Sequence, residues 1–452
     1  MQIQQAQTTQ APSASDKVPI DLARNRLAFG GDALFWGIGS AFIPLSTVIT
    51  ALAAALTHDK VLIGLISPAW FVANLLPQIV AARLVHGKRQ TKPHMVISAL
   101  IGRQALFLMA MWLFITRARQ PTLTVWVLIS VIAITMGLDA ITGQAWFDII
   151  GRVFSSKTKV RVLTFNLFLS AVGGIGAGVM VARVLTSSRL SFPSNYAVLF
   201  GLAWVFVMLS TISLMFVRER KSDAPLVNGA DSPGALSFSK KLRDSWRNVP
   251  TFRLVLLIRL LAGAENMAGA FYIVFAQEQL ELPDTAIGAF TVALTLGSLV
   301  GIVLFGWLAE RFGSQRVIRV ACTLQCLAPL AAALVTVLPS HAPQLSYAIL
   351  IVVMAINGAV SRSAYVGFLT YAQDSAPDGD RPVYVGALST AGGIASLLPI
   401  LGGVLLDLFT HSGWGRLGYL AVFGLAASLA GLGSVVSFRL PKARPAFTTS
   451  DG

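Results

Sequence analysis

The chain has 452 residues, of which 55% are hydrophobic and only 12% charged, with a mean hydropathy of +0.70. That is too apolar for a soluble domain and too long for a few spans, so the composition implies a polytopic membrane protein. The net charge of +15 excludes little until its placement is known, because a nucleic-acid surface and a basic cytoplasmic face give the same total.

Residues 1–26 begin rich in Gln, Thr, Ala and Ser, without the basic-then-apolar arrangement and small-residue cleavage site of a secretory leader, and read as a disordered cytoplasmic tail. A helix needs ~20 mostly apolar residues to cross the hydrocarbon. Twelve such runs follow, near 27–56, 61–84, 94–116, 122–151, 160–186, 195–217, 252–279, 284–309, 316–338, 345–372, 382–409 and 415–438. Several exceed the minimum, so tilt is expected; the ~10-residue alternating segments of a β-barrel are not seen. With both termini placed inside, 24 of the 35 Lys and Arg fall in inner segments and 6 in outer loops. This positive-inside bias predicts a multi-pass protein of a bacterial-type cytoplasmic (inner) membrane with both termini cytoplasmic, and it removes the nucleic-acid reading.

The longest polar interruption, 218–250, lies at the midpoint. It predicts a six-helix bundle at 27–217, a cytoplasmic linker at 218–250, a second bundle at 251–440 and a cytoplasmic tail at 441–452. Within the linker, Ser237 to Arg247 reads either as a surface helix with Trp246 at the membrane interface or as a solvated stretch. Internal repetition supports two halves: LSAVGGI at 169–175 recurs as LSTAGGI at 388–394, Ile63-Gly64 matches Ile287-Gly288, and Ala41-Phe42 matches Ala270-Phe271.

The segment Gly306 to Arg319, GWLAERFGSQRVIR, reads as an inner hairpin. Gly306 would let helices approach closely, Glu310 and Arg311 leave the hydrocarbon, Gly313 permits the reversal, and Arg316 and Arg319 pin it to the positive side. Its spacing resembles the loop motif of the major facilitator superfamily, G-x-L-a-D/E-R-x-G-x-x-R, in its second-half copy between helices 8 and 9. The resemblance implies an all-α fold of twelve transmembrane helices in two pseudo-twofold-related six-helix bundles. It also implies a conformational latch, with Glu310 acting against the inner start of helix 5 near Arg161, and with Asp148 and Arg152 as the acid and base beside the loop. The first-half hairpin, Ala81 to His94, keeps the Gly and basic run but lacks the acid and the leading Gly, which argues against a symmetric latch. The P-x-x-G-G pattern that the family associates with antiport on helix 5 appears here on helix 11, as Pro399 to Gly403.

Charge within the hydrocarbon is costly and marks pathways. Six charged residues lie well inside the runs: Asp32, Arg103, Asp139, Arg259, Glu265 and Arg362; all but Arg103 fall on helices 1, 4, 7 and 10, which line the cavity in the superfamily. Asp139 and Arg362 sit at similar depth on corresponding helices and suggest a cavity pair. Glu265, with Asn266 beside it, is the candidate proton site, and Tyr365 a candidate contact. Asp32 and Arg259 correspond on helices 1 and 7 and suggest an inner gate, with Arg103 as an ion-pair partner of Asp32 or Asp139.

Cys322 and Cys326, four apart on one helix, suit packing; the five histidines sit at helix ends or in loops, and no G-x-x-x-x-G-K-S/T stretch occurs. No metal, cofactor or ATPase activity is therefore expected, and no nucleophile, base and orienting group appear together, so an enzyme is not expected. The sequence predicts a monomeric secondary transporter in the lipid bilayer moving a small-molecule solute by alternating access, with proton coupling through Glu265 or Asp139 and with export favoured by the Pro399 stretch. The alternatives are a non-transporting sensor or assembly factor on the same fold, in which the charges would pair off, and a lipid translocator.

Overall fold

The computed structural model describes residues 18–85, 90–154, 156–219, 235–283, 285–339, 343–376, 381–412 and 414–441. Among these residues the secondary structure is helical throughout, and twelve membrane-spanning segments follow in chain order. Span 1 is α1 (Val18–Phe42), a π turn (Leu45–Ile49) and α2 (Thr50–Leu56); spans 2 to 6 are α3 (Lys60–Val85), α4 (Lys92–Thr116), α5 (Pro121–Val153), α6 (Ser156–Leu185) and α7 (Ser194–Met215). After α8 (Ala235–Asn248), span 7 is built from α9 (Pro250–Ala262), α10 (Glu265–Gly269) and α11 (Tyr272–Glu278). Spans 8 to 10 are α12 (Thr285–Phe312), α13 (Ser314–Val337) and α14 (Pro343–Ser375); span 11 is α15 (Arg381–Ala395) with α16 (Leu398–His411), and span 12 is α17 (Gly415–Ser437). Since the number of spans is even, α1 begins and α17 ends on one side, here called the terminal side.

The sequence leads one to expect twelve uninterrupted runs, yet spans 1, 7 and 11 are broken. Pro44, which has no N–H to donate, follows the end of α1; Gly263 and Ala264 separate α9 from α10, and α15 stops two residues short of α16, whose first turn carries Pro399. The repeated pairs Ala41-Phe42 and Ala270-Phe271 sit at the breaks of spans 1 and 7. Discontinuous helices at corresponding places in two halves are the arrangement transporters use to expose polar groups in mid-membrane.

The two halves are built alike. A basic residue opening the third span of each ties off free carbonyls at the end of the sixth: Lys92 Nζ donates to Met215 O at 2.6 Å, and Arg319 Nη2 donates to Phe438 O at 3.0 Å and Leu440 O at 3.2 Å. Within the first bundle α1 packs on α6 and α7, and α4 on α5 and α7; within the second α12 packs on α14, and α13 on α14 and α17. Spans 8 and 10 cross at their backbones, because a Cβ on Gly297, Gly301 or Gly358 would collide with the main chain of Ala355, Ala359 or Leu294.

Contact between the bundles is one-sided. On the side away from the termini a single apolar cluster runs through both, uniting Phe42, Val48, Ile66 and Phe200 of the first with Phe271, Phe275, Phe290 and Phe423 of the second. Towards the terminal side the core splits: Phe29, Met95, Ile149 and Phe154 form a cluster in the first bundle, and Phe252, Ile258, Phe368 and Tyr384 another in the second. Buried apolar area is the main cohesive term, so the halves adhere at the far side and lie apart at the terminal side. The α8 helix packs on α9 and α15 and leaves Trp246 half exposed.

Candidate functional site

Spans 3, 4 and 6 converge on a polar network inside the first bundle. Arg103, only 3% exposed, donates through Nη1 to Thr211 Oγ1 (2.7 Å), Val207 O (2.9 Å) and Ser210 Oγ (3.0 Å), and through Nη2 to Asp139 Oδ1 at 3.5 Å. Its guanidinium stands 4.8 Å from the ring centre of Trp36. Asp32 joins through Ser210 Oγ, which donates to Oδ1 at 2.6 Å, while Trp146 Nε1 donates to Oδ2 at 2.9 Å. The charges of the first bundle are thus bound among themselves.

Asp139 pairs with Arg103, one of the two partners the sequence offers that arginine, and the expected pair with Arg362 falls on a side chain outside the described residues. The gate expected from Asp32, Arg259 and Arg103 is not assembled: Asp32 and Arg103 are held by first-bundle donors and acceptors, and Arg259 packs within the second bundle. Arg259 lies 5.4 Å from the ring centre of Phe368 and 6.0 Å from that of Tyr365, and no carboxylate among the described residues is in ion-pairing range of it.

Span 7 carries Glu265 midway along, at the start of α10, directly after the Gly263 break. Its carboxylate is buried and accepts a hydrogen bond from Asn357 Nδ2 of span 10 at 3.1 Å. Gly269, one turn on, leaves room for it, since a Cβ there would stand 3.2 Å from Glu265 Oε1. Asn266 Nδ2 reaches Ala395 O at 3.5 Å, and the Tyr272 hydroxyl is buried beside Glu265.

On the far side a charged cluster joins the bundles. Lys60 Nζ, at the start of span 2, pairs with Glu278 Oε1 at the end of span 7; Tyr419 Oη donates to Glu278 Oε2 at 2.7 Å, and the Lys60 amide donates to Asp407 Oδ1 at 3.1 Å. Thr47 and Thr291 share a hydrogen bond of 2.9 Å between spans 1 and 8. None of these residues stands out in the sequence: each charge lies at a helix end, where charge is ordinary, and Lys60 is 218 residues from Glu278.

On the terminal side Asp148 and Arg152 pair at 2.7 Å, as their spacing suggests, and Thr91 Oγ1 of the first hairpin donates to Asp148 Oδ2 at 2.9 Å. The organising residue was not anticipated. Glu219, just past span 6, accepts from the amides of Thr91 (2.6 Å) and Lys92 (2.9 Å) and faces Arg152 at 3.4 Å, so a carboxylate caps the N-terminus of α4. The second hairpin is free by comparison. Gly313, at φ 81°, makes the expected reversal. A Cβ on Gly306, however, would meet nothing within 4 Å, so the close approach expected there is absent, and Glu310 and Arg161 are both exposed and unpaired with each other. Arg311 and Arg316 lie over Phe312 at 5.9 and 4.3 Å. The bundles share no apolar core on this side, and no described group packs against Gly306. Residues 86–89 of the first hairpin lie outside the described residues.

Two related bundles that share a core on one side only, one of them with a broken helix that buries an acid in mid-membrane, define a polytopic membrane protein of the transporter class. The sequence profile of the Major Facilitator Superfamily matches residues 28–398 and, in a second alignment, 255–451, and the chain belongs to that superfamily. Among solved structures it is similar to the nucleoside transporter NupG (15% identity, 93% of this chain and 99% of that one, TM-score 0.63) and to the D-xylose–proton symporter (12%, 94% and 99%, 0.65). A bacterial homologue of the iron transporter ferroportin matches with a TM-score of 0.62 in its inward-facing state (14%, 93% and 97%) and 0.54 in its outward-facing state with soaked iron (16%, 92% and 98%). No curated protein sequence matches the chain.

Proposed function

We propose that this transporter moves a small organic solute across the cytoplasmic membrane by alternating access, coupled to protons through Glu265, in the direction of export and as a monomer. The observation that carries the reading is the one-sided adhesion of the bundles, a single apolar core on the far side and separate cores on the terminal side. A chain that only locks its halves together has no use for this asymmetry, whereas a transporter caught with one side open requires it. The positive-inside bias makes the terminal side cytoplasmic, so the open side faces the cell interior. The inward-facing ferroportin homologue, which matches better than its outward-facing form, supports the same assignment.

Proton coupling rests on Glu265. It is a buried carboxylate whose polar neighbours, Asn357 and Tyr272, are neutral, with no cation in ion-pairing range among the described residues, whereas Asp139 is committed to Arg103. Export is favoured by the Pro399–Gly402–Gly403 stretch, at which spans 2 and 11 meet: a Cβ on Gly64 or Gly403 would strike the backbone of Pro399 or Lys60. A non-transporting sensor would pair off its buried charges; the first bundle does so, but Arg259 and Glu265 in the second have no charged partner among the described residues.

A thermal-shift screen of the purified protein identifies a solute, and proteoliposomes then test the mechanism. Glu265→Gln is expected to abolish accumulation driven by a pH gradient while solute exchange at equal pH persists. Unchanged pH-driven accumulation in that variant would sink the assignment of the coupling proton.

A further inference from the structure

We infer that the second hairpin, between spans 8 and 9, holds an anionic phospholipid of the terminal-side leaflet, its phosphate at Arg311 and Arg316 and its acyl chains along the outer faces of the two spans.

Each arginine ends an apolar face. On α12 the exposed Val300, Leu304 and Trp307 stand about three, two and one turns before Arg311, so they and Arg311 form one stripe. Thr291, which bonds Thr47 of span 1 where the bundles meet, lies about five and a half turns before Arg311 and thus on the opposite face. On α13 the exposed Leu327 and Leu334 lie about three and five turns beyond Arg316, which opens a second stripe. An apolar, exposed face turned from the bundle interface meets lipid tails. The charges just beyond it lie among the headgroups, with Trp307 as an interfacial aromatic.

The two cations are gathered and unspent. Arg311 stands 6.0 Å from the ring centre of Trp307 and 5.9 Å from that of Phe312, and Arg316 stands 4.3 Å from the same exposed Phe312 ring. No acid among the described residues, Glu310 included, is in ion-pairing range of either. Arg319, the next basic residue, is taken up by the carbonyls of Ser437, Phe438 and Leu440. The first bundle shows what such a place holds, since the start of α4 is capped there by the Glu219 carboxylate. In the second, α13 starts after Gly313 with no side-chain cap, and the chain past span 12 brings the Leu440 carbonyl to Gln315 and Arg319 in place of a carboxylate. The positive end of α13 and two guanidiniums therefore lack, among the described residues, the anion that their counterpart has. Ser314 and Gln315 are buried, so the helix end supplies its field and the arginines supply the contacts. Guanidinium forks match phosphate oxygens, and the stripes that continue from both arginines match acyl chains rather than a free phosphate.

Dioctanoyl phosphatidylglycerol, dioctanoyl phosphatidylcholine and glycerol 3-phosphate, each added to the purified full-length protein in detergent, test this by thermal shift. Phosphatidylglycerol is expected to stabilise the protein and the other two are not. The double variant Arg311→Gln, Arg316→Gln changes exposed side chains only, so it should melt as the parent does without lipid and bind phosphatidylglycerol about tenfold or more weakly. Arg243→Gln with Arg247→Gln, which removes an exposed basic pair from α8, should leave that affinity unchanged. Equal responses to the two lipids would overturn the site, as would parental phosphatidylglycerol affinity in the hairpin variant or an equal loss in the α8 variant. Stabilisation by glycerol 3-phosphate as strong as by phosphatidylglycerol would overturn the lipid as occupant.

Discussion

Replacing Lys60 by methionine removes the cation of the pair that joins spans 2 and 7 on the far side, and leaves Glu278 uncompensated where the bundles meet. The Lys60 side chain is 3% exposed and that of Glu278 25%. Breaking a fully buried pair by deleting one partner costs about 3–5 kcal/mol. Glu278 keeps the Tyr419 hydroxyl at 2.7 Å and some solvent, so a loss of about 2 kcal/mol is the better figure. The pair bridges the bundles, so the loss falls on the far-side-closed state alone. At about 1.4 kcal/mol per factor of ten, the population open on the far side should rise roughly thirtyfold relative to the closed one. Pulsed electron resonance between nitroxides at Arg119 and Ser412, exposed far-side positions in the first and second bundle, reads this directly once Cys322 and Cys326 are replaced. Lys60→Met should add a longer-distance population. The double variant Lys60→Met, Glu278→Gln should shift back towards wild type, because no charge is then left unpaired. A wild-type distance distribution in Lys60→Met, or a double variant as open as the single, would refute the reasoning.

The remaining predictions concern stability and the terminal-side latch. Gly297→Val drives a side chain into the Ala355 backbone and should lower the melting temperature sharply, at a cost of about 3 kcal/mol or more, whereas Gly306→Ala, with open space around it, should leave melting unchanged; similar melting of the two would discredit the span 8–10 crossing. Arg103→Leu strands Asp139 in the first bundle and should cost about 3 kcal/mol or more, with part recovered by adding Asp139→Asn; a double variant no more stable than the single would contradict the pairing. Glu219→Ala removes the carboxylate that caps α4 and should cost about 1–2 kcal/mol, with faster hydrogen exchange at the Thr91 and Lys92 amides; unchanged exchange there would deny the cap.

Hydropathy made the spans legible because burial in lipid leaves a contiguous mark on the sequence, and the hairpin at Gly313 was legible because only a few residues accept its positive φ. Partners across the fold leave no such mark. The Lys60–Glu278 lock joins residues 218 apart, and the Glu219 cap joins residues 128 apart. Each looks alone like an ordinary charge at a helix end. The breaks of spans 1, 7 and 11 were written in Pro44, Gly263 and Pro399, but membrane helices often run through such residues, so the residues mark places where a break is possible and packing decides which are used.

The pairing of Asp139 with Arg103 shows what depth arguments miss. Counting ~1.5 Å per residue from the turn between spans 3 and 4 puts the Cα of Arg103 roughly 7 Å nearer the far side than that of Asp139, so the two seem mismatched, whereas Asp139 and Arg362 seem level. An arginine side chain extends about that far, and span 4 packs on span 3 within one bundle, so Arg103 reaches Asp139 across the offset. Once Arg103 has taken Asp139, and Ser210 and Trp146 have taken Asp32, the first bundle has no described charge left for a ligand. The second bundle, repeating the same topology, has at Arg259 the counterpart of Asp32, with no acid in ion-pairing range among the described residues. Two halves alike in their helices thus differ in how their described charges are paired, which fits the proposal that Glu265 of the second bundle carries the coupling proton.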